Sequence, residues 1–327
     1  MQIQEVSDNF CVLSLDGGGS RGYLSIRYLE NLETHLNRST GRTVSLGERF
    51  DFIVGTSTGG IIALGLAVGI SAGKIRELHE TYLPKIFGPK ARHLLPWWRP
   101  KYDNRILRDF LIECFGRRCL ADLNTDACII GVGLQNAQSR LFKTDYLARN
   151  SGRLQERLVD VALCTSAAPT YFASHSSQHS SYIVDGGLCA NNPSMIALVE
   201  ALQFERKSKR GRNPEHSLNT ASGTRLRMLS VGTGIPHAVS YDYRTLINTG
   251  GKGWTRKFSS PPFFEITMQS QSTLVHDQAQ LLLKQNYMRF NPRLNFSMAL
   301  DDVSQLKALD NLSDLTEEDV EFAANLD

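Results

Sequence analysis

The chain has 327 residues, of which 41% are hydrophobic and 21% are charged, and its formal net charge is +3. This composition excludes a largely disordered chain, and the small net charge does not indicate a DNA- or RNA-binding protein. The length is sufficient for one large domain with a substantial core.

The first half of the sequence alternates between strand-like and helix-like patterns. Residues 12–15 form a short apolar run that predicts a strand ending at a glycine-rich segment. From Ser20 onward the apolar residues recur at helical spacing. Residues 50–54 predict a second buried strand, and residues 61–68 predict an apolar helix soon after it.

The second half continues the same alternation. Further strands are predicted over residues 127–134, 182–185 and 226–231. A helix is predicted to start at Asn192-Pro193, because proline is favoured at the first helical position. The alternation indicates an α/β protein with a mostly parallel sheet covered by helices on both faces. We predict one domain over residues 8–300 and an acidic tail, 301–327, packed on it.

Segments that would take the chain across or into a membrane are not evident. The N-terminal residues show no basic region followed by an apolar one, so no secretory signal is predicted. The longest apolar run, 61–70, is about half the length of a membrane span. Six cysteines without a C-x-x-C pair favour free, buried thiols in a reducing cytosol. We therefore expect a soluble, cytoplasmic protein.

The first chemical motif is the glycine-rich segment 16–22, Asp-Gly-Gly-Gly-Ser-Arg-Gly, between a strand and a helix. Its glycines allow several backbone N–H groups to point into one concavity, which suits a phosphate or an oxyanion. The spacing of Gly17, Gly19 and Gly22 also fits G-x-G-x-x-G, so a non-hydrolytic nucleotide-binding module is an alternative. Against it, the next strand ends in Gly-Thr-Ser and lacks the acidic residue that binds a ribose.

The second motif is the segment 55–59, Gly-Thr-Ser-Thr-Gly, which also joins a predicted strand to a predicted helix. A G-x-S-x-G sequence in that context is typical of a sharp turn that presents its serine hydroxyl as a nucleophile. Ser57 is therefore the candidate nucleophile.

Two kinds of base are available to that serine. His237 or His276 would complete a triad in the order Ser, Asp, His, as in a soluble esterase. Alternatively, Asp185 ends an apolar strand and precedes two glycines. Its carboxylate would accept the serine proton directly if burial raised its pKa.

The three motifs, in this order, resemble the signatures of the patatin-like phospholipases. They are the segments 16–22, 55–59 and 185–187, with further similar stretches at 165–172 and 191–193 and weaker ones at 231–234 and 289–292. The resemblance implies a patatin-like three-layer α/β/α fold with a mostly parallel central sheet. It also implies a Ser/Asp dyad and an enzyme that requires neither a metal nor another cofactor.

Carried onto this sequence, the resemblance assigns a role to each motif residue. Ser57 would be the nucleophile, Asp185 the base, Gly17, Gly18 and Gly19 the oxyanion donors, and Arg21 a substrate-binding residue. The implied enzyme is a lipid acyl hydrolase of the phospholipase A type. It would cleave fatty-acyl esters of membrane glycerophospholipids through an acyl-enzyme.

The resemblance also extends to regulation. Compact bacterial members include effectors that degrade the cell's own membrane in anti-phage defence when a cyclic nucleotide appears. By that likeness we expect a cyclic dinucleotide activator and peripheral attachment to the inner face of the membrane when active, with the oligomeric state left open. Residues 94–102 combine two tryptophans with basic residues, which predicts either a membrane-docking lid or part of the core.

Overall fold

A computed structural model of the chain describes residues 9–88, 99–144, 152–208, 226–236, 262–324 and 326. The described strands form one eight-stranded sheet. They are β1 (Phe10–Leu15), β2 (Phe52–Thr56), β3 (Asp126–Gly133), β4 (Gln138–Lys143), β5 (His175–Ser177), β6 (Ser180–Asp185), β7 (Leu226–Val231) and β8 (Tyr287–Phe290). The described α-helices are α1 (Gly22–Thr40), α2 (Thr58–Ala67), α3 (Ala72–Ile86), α4 (Arg105–Phe115), α5 (Leu158–Thr165), α6 (Gly187–Ala190), α7 (Ser194–Ser208), α8 (Pro262–Leu283) and α9 (Glu317–Ala323).

The centre of the sheet is parallel. Strand β1 pairs in parallel with β2 on one side and β7 on the other, and β3 and β8 extend the parallel part outward. Strands β4 and β6 both pair antiparallel with β3, and β5 pairs antiparallel with β6. The predicted α/β class with a mostly parallel central sheet is confirmed.

Helices cover both faces of the sheet. Side chains alternate between these faces along each buried strand, so each strand contributes apolar residues to both. On β1, Leu13 and Leu15 belong to the larger core cluster together with α1 and α2. Val12 points to the other face and belongs to a second cluster that includes α7 and α8. The result is a helix–sheet–helix sandwich that buries the strands on both sides.

Strand β2 lies two residues later than predicted. Its pairing with β1 begins at Phe52, and its pairing with β3 runs on to Thr56. Phe50 is buried but precedes the strand. Asp51 ties the entry to β1 instead, since its carboxylate accepts from the Cys11 N–H at 2.7 Å. The apolar residues therefore predicted burial at this end of the strand, but backbone pairing determines the residue at which the strand begins.

Residues beyond 300 pack on helix α1. The hydroxyl of Tyr28 donates to Asp319 at 2.7 Å, and the Asn31 amide donates to the Ser313 carbonyl at 2.9 Å. Leu309 and Phe322 are buried in the larger core cluster. These contacts hold the acidic segment against the body of the fold.

The cysteines are all free, but only Cys11, Cys128 and Cys164 are buried, and Cys189 is exposed. None of the helices in the described part of the chain is long and apolar enough to cross a membrane. Of the tryptophan segment, residues 94–98 lie outside the described residues, as does His237. Tyr102, at its end, is buried and donates its hydroxyl to Asp301 at 2.6 Å.

Candidate active site

Strands β2 and β6 follow one another along the same edge of β3. Thr56, the last residue of β2, lies opposite Ile130, and the next residue of β3, Gly131, lies opposite Asp185 at the end of β6. Strand β4 occupies the other edge over the same stretch. Because β6 runs antiparallel to β3, its final residue meets the end of β2. This arrangement brings Asp185 beside Ser57, which is far from it in sequence.

The two side chains are hydrogen-bonded. Ser57 Oγ donates to Asp185 Oδ2 at 2.6 Å, and the backbone N–H of Gly187 donates to Oδ1 at 2.7 Å. Only 2% of Asp185 is exposed. Burial raises the pKa of Asp185 to about 6, although the hydrogen bonds from Ser57 and Gly187 act in the opposite direction. A carboxylate with this pKa is ionised at neutral pH and is basic enough to accept a proton.

Ser57 lies on a strained turn between β2 and α2. Its φ of 55° and ψ of −126° are unusual for a residue with a side chain. The turn fits only because the neighbouring backbone approaches closely: a Cβ on Gly59 would collide with the carbonyl oxygens of Leu15 and Asp16. Thr165 braces the turn by accepting from the Ser57 N–H at 2.9 Å. The predicted strand–turn–helix context of the G-x-S-x-G motif is confirmed.

The glycine-rich loop lies against this turn. Thr58 joins them by donating its hydroxyl to the Gly19 carbonyl at 3.0 Å. The N–H of Gly17 already donates to the Asn191 carbonyl at 3.0 Å, so the prediction of Gly17 as an oxyanion donor needs correction. The N–H groups of Gly18 and Gly19 find no acceptor among the described residues, and both glycines line a cavity together with Ser57. They are the two available donors.

That cavity is largely apolar and has about 630 Å³ of empty space including its mouth. Ser57, Asp185, Gly18 and Gly19 lie on its wall. The apolar wall is formed mainly by Ile61, Leu83, Ile86, Phe87, Leu107, Phe110, Phe172, Phe264, Met268 and Leu300. Its shape and lining suit a hydrocarbon chain whose carbonyl end reaches Ser57.

Arg21 lines a second, more polar cavity next to the first. Met268 and Leu300 line both cavities, and Glu265 lies on the wall of the second one. Only 6% of Arg21 is exposed, and its Nε has no hydrogen-bond partner within the described ranges. Burial lowers the pKa of its guanidinium, while the charge of Glu265 acts against that change. A buried cation at this position suits an anionic group of a ligand.

Among the described residues, no histidine is hydrogen-bonded to Ser57 or Asp185, as a triad would require. His276 lies on α8 with its Nδ1 3.4 Å from the Tyr287 hydroxyl, and its ring packs on the Tyr287 ring. His175 contacts Asp160 at 3.0 Å instead. The side chain hydrogen-bonded to Ser57 Oγ is that of Asp185, and neither of these histidines contacts it.

Comparison with known proteins identifies the family of this chain. A family model described as patatin-like phospholipase matches residues 13–198, which is more than half of the chain. The chain belongs to the patatin-like phospholipase family. The resemblance carried by the three sequence motifs is therefore confirmed.

Several curated members of the family are similar to this chain. A cGAMP-activated phospholipase of Escherichia coli (strain TW11681) is 39% identical over 206 residues, which is 59% of this chain and 56% of that protein. The protein of the same name from Vibrio cholerae is 36% identical over 217 residues, 62% of this chain and 60% of that protein. One from Pseudomonas aeruginosa is 30% identical over 307 residues, 92% of this chain and 83% of that protein. The matches to the first two thus span less than two thirds of those relatives.

One supporting residue of this patatin-like site was not assigned from the sequence. Arg289 on β8 donates to Asp16 Oδ2 at 2.6 Å, to Ser230 at 2.6 Å and to Ser272 at 3.0 Å. Although burial alone would lower the pKa of Arg289, the charge of Asp16 raises it. Because Asp16 begins the glycine-rich loop, this ion pair fixes the loop to strand β8, two strands away from β1 in the sheet.

Replacing Arg289 with methionine is expected to lower the free energy of unfolding by about 3–5 kcal/mol, because it leaves Asp16 as a buried, unpaired charge. Urea unfolding measures the change. Arg293→Met, an exposed arginine just beyond β8, is the matched control and should change stability by less than about 0.5 kcal/mol. A loss below about 1 kcal/mol for Arg289→Met would show that Asp16 does not depend on its partner.

Proposed function

We propose that the protein is a serine phospholipase of the A type that releases fatty acids from membrane glycerophospholipids. The observation that carries the proposal is the 2.6 Å hydrogen bond between Ser57 and Asp185 at the wall of an apolar cavity. Family membership supports the reaction class.

In the first half-reaction, Asp185 accepts the Ser57 proton while Ser57 Oγ attacks the ester carbonyl carbon. The N–H groups of Gly18 and Gly19 stabilise the oxyanion that forms. When the intermediate collapses, the C–O bond to the glycerol oxygen breaks and the leaving alkoxide takes the proton from Asp185. The lysophospholipid departs, and the acyl group stays on Ser57.

In the second half-reaction, water attacks the acyl-enzyme and gives its proton to Asp185. When this intermediate collapses, the bond between the acyl carbon and Ser57 Oγ breaks, Ser57 Oγ takes the proton back from Asp185, and the fatty acid is released. The strained backbone holds Ser57 beside the free Gly18 and Gly19 amides, so the same arrangement serves both half-reactions. Arg21, buried in the neighbouring polar cavity, would hold the lipid phosphate.

The proposal includes peripheral binding to the cytoplasmic face of the membrane. The six free cysteines are typical of a reducing compartment. Phe263 is exposed at the start of α8, next to Phe264 on the cavity wall. An exposed aromatic ring at that position suits contact with a lipid surface.

Regulation by a cyclic dinucleotide is the finer part of the proposal. Its support is the name of the relatives in Escherichia coli, Vibrio cholerae and Pseudomonas aeruginosa, each called a cGAMP-activated phospholipase. A hydrolase that depends on such an activator would stay inactive until the signal appears, as anti-phage defence requires.

The experiment is fatty-acid release from mixed phosphatidylethanolamine and phosphatidylglycerol vesicles, with and without a panel of cyclic dinucleotides. We expect release by the wild type that one nucleotide increases, and none by Ser57→Ala under any condition. Equal release without nucleotide would remove the regulatory part alone. Release by Ser57→Ala at the wild-type rate would contradict the whole mechanism.

A further inference from the structure

A histidine lies on the wall of the otherwise apolar part of the cavity. His79 is on helix α3, one turn before Leu83, and only 2% of it is exposed. It lines the same cavity as Ser57, and its ring meets the Phe110 ring edge-on with centroids 5.1 Å apart. Neither the dyad nor the oxyanion donors use this side chain. Its hydrogen bonds show what it offers to a ligand.

The position of the proton on His79 follows from its one observed hydrogen bond. Nδ1 is 2.9 Å from the carbonyl oxygen of Ile75. A carbonyl oxygen can only accept, so Nδ1 carries a hydrogen. Burial lowers the pKa of His79 to about 4, so the ring is neutral at physiological pH and carries only that hydrogen. Nε2 is therefore a hydrogen-bond acceptor.

This acceptor has no donor among the described residues. Nδ1 faces the preceding turn of α3, which places Nε2 on the ring edge away from that carbonyl. An unsubstituted acyl chain that filled the cavity would displace water from Nε2 without supplying a hydrogen-bond donor in its place. A buried acceptor left without a partner is penalised, whereas a donor on the ligand would remove the penalty.

From this arrangement we propose that His79 is a specificity-determining residue that favours fatty-acyl chains bearing a hydroxyl group, which donates to Nε2. The inference rests on the proposed function, since it needs the acyl chain to occupy this cavity. A wall made for plain hydrocarbon would be satisfied by leucine at this position, as it is at Leu83 one turn further on.

The test compares phosphatidylethanolamines that carry stearoyl chains or hydroxystearoyl chains, with the hydroxyl placed at successive carbons. Mixed vesicles of two such lipids let them compete for one enzyme, and the released acids are counted by mass spectrometry. We expect one range of hydroxyl positions to be preferred over stearoyl by about tenfold in kcat/KM, the size of one neutral hydrogen bond.

His79→Leu is expected to bring that ratio close to one and to raise stearoyl release, because the unpaired acceptor is gone. Leu83→Met, on the same wall, changes shape without adding or removing an acceptor and should keep the hydroxyl preference. His79→Gln retains an acceptor and should keep part of it, which serves if the leucine variant folds poorly.

Three outcomes separate this inference from the function on which it rests. Equal release of stearoyl and of every hydroxystearoyl isomer by the wild type would overturn the role of His79 and leave the hydrolase intact. A preference that survives in a folded His79→Leu variant would overturn it as well. No release of any acid by the wild type, with or without cyclic dinucleotides, would instead reject the proposed function.

Discussion

Replacing Asp185 with asparagine is expected to lower kcat by about 10²–10⁴, the contribution typical of a positioned general base. Asparagine is similar in shape and can still accept from the Gly187 N–H, as Asp185 Oδ1 does at 2.7 Å. It cannot accept a proton from Ser57. The variant therefore removes the proposed base while it retains the surrounding geometry.

The same substitution is expected to make the protein more stable at pH 8. Burial raises the pKa of Asp185 from 3.8 to about 6 in the folded protein. Between these pH values the folded state binds more protons than the unfolded state, so the free energy of unfolding falls as the pH rises. Above pH 6 the full cost of keeping this carboxylate ionised is present, about 3 kcal/mol for a shift of about two units.

Asp185→Asn carries no such cost, so its gain should be about 3 kcal/mol at pH 8 and close to zero at pH 4. Urea unfolding at the two pH values, together with vesicle assays, measures both effects. Asp109→Asn, an exposed carboxylate on α4, is the control and should alter neither quantity. If Asp185→Asn were less stable than the wild type at pH 8, the ionised carboxylate would contribute to folding, and the argument for a raised pKa would fail.

The parts of this site that were predictable from the sequence are the local ones. A glycine-rich turn after β1 and a G-x-S-x-G turn after β2 both follow from the conformational needs of short segments. The apolar runs next to these turns predict the strands, because that pattern is also confined to a short segment. Asp185 could be proposed as a base because it ends such a run, but its contact with Ser57 depends on β6 running antiparallel beside the end of β2.

The remaining features depend on contacts between distant segments, and no local pattern encodes them. Arg289 is 273 residues from the Asp16 carboxylate that it binds. The Gly17 N–H donates to the Asn191 carbonyl, so within the described part of the chain the three adjacent glycines provide two free donors, Gly18 and Gly19. From the sequence alone, the three glycines were equal candidates for the oxyanion donors. The Arg289 stretch resembled the family, but only the structure gives its partner.

Replacing Gly19 with alanine is expected to lower kcat by about 10²–10³, which is the loss typical for one oxyanion donor. Gly19 has a φ of +58°, in the left-handed region that alanine adopts only with strain. Its added Cβ would also collide with the carbonyl oxygen of Leu300. Since Leu300 holds the loop by accepting from the Ser20 N–H at 2.7 Å, relief of the collision must move the Gly18 and Gly19 amides.

Gly41→Ala separates strain from displacement of the loop. Gly41 ends helix α1 with a φ of +65°, and a Cβ there would meet nothing within 4 Å. Both alanines therefore carry the left-handed strain, about 1–2 kcal/mol of stability each, but only the one at Gly19 displaces the Gly18 and Gly19 amides. We expect Gly41→Ala to retain the wild-type kcat in the vesicle assay. If the two variants were equally stable and had the same kcat, the Gly18 and Gly19 amides would not stabilise the transition state. A donor that is moved without loss of rate contributes nothing to that stabilisation.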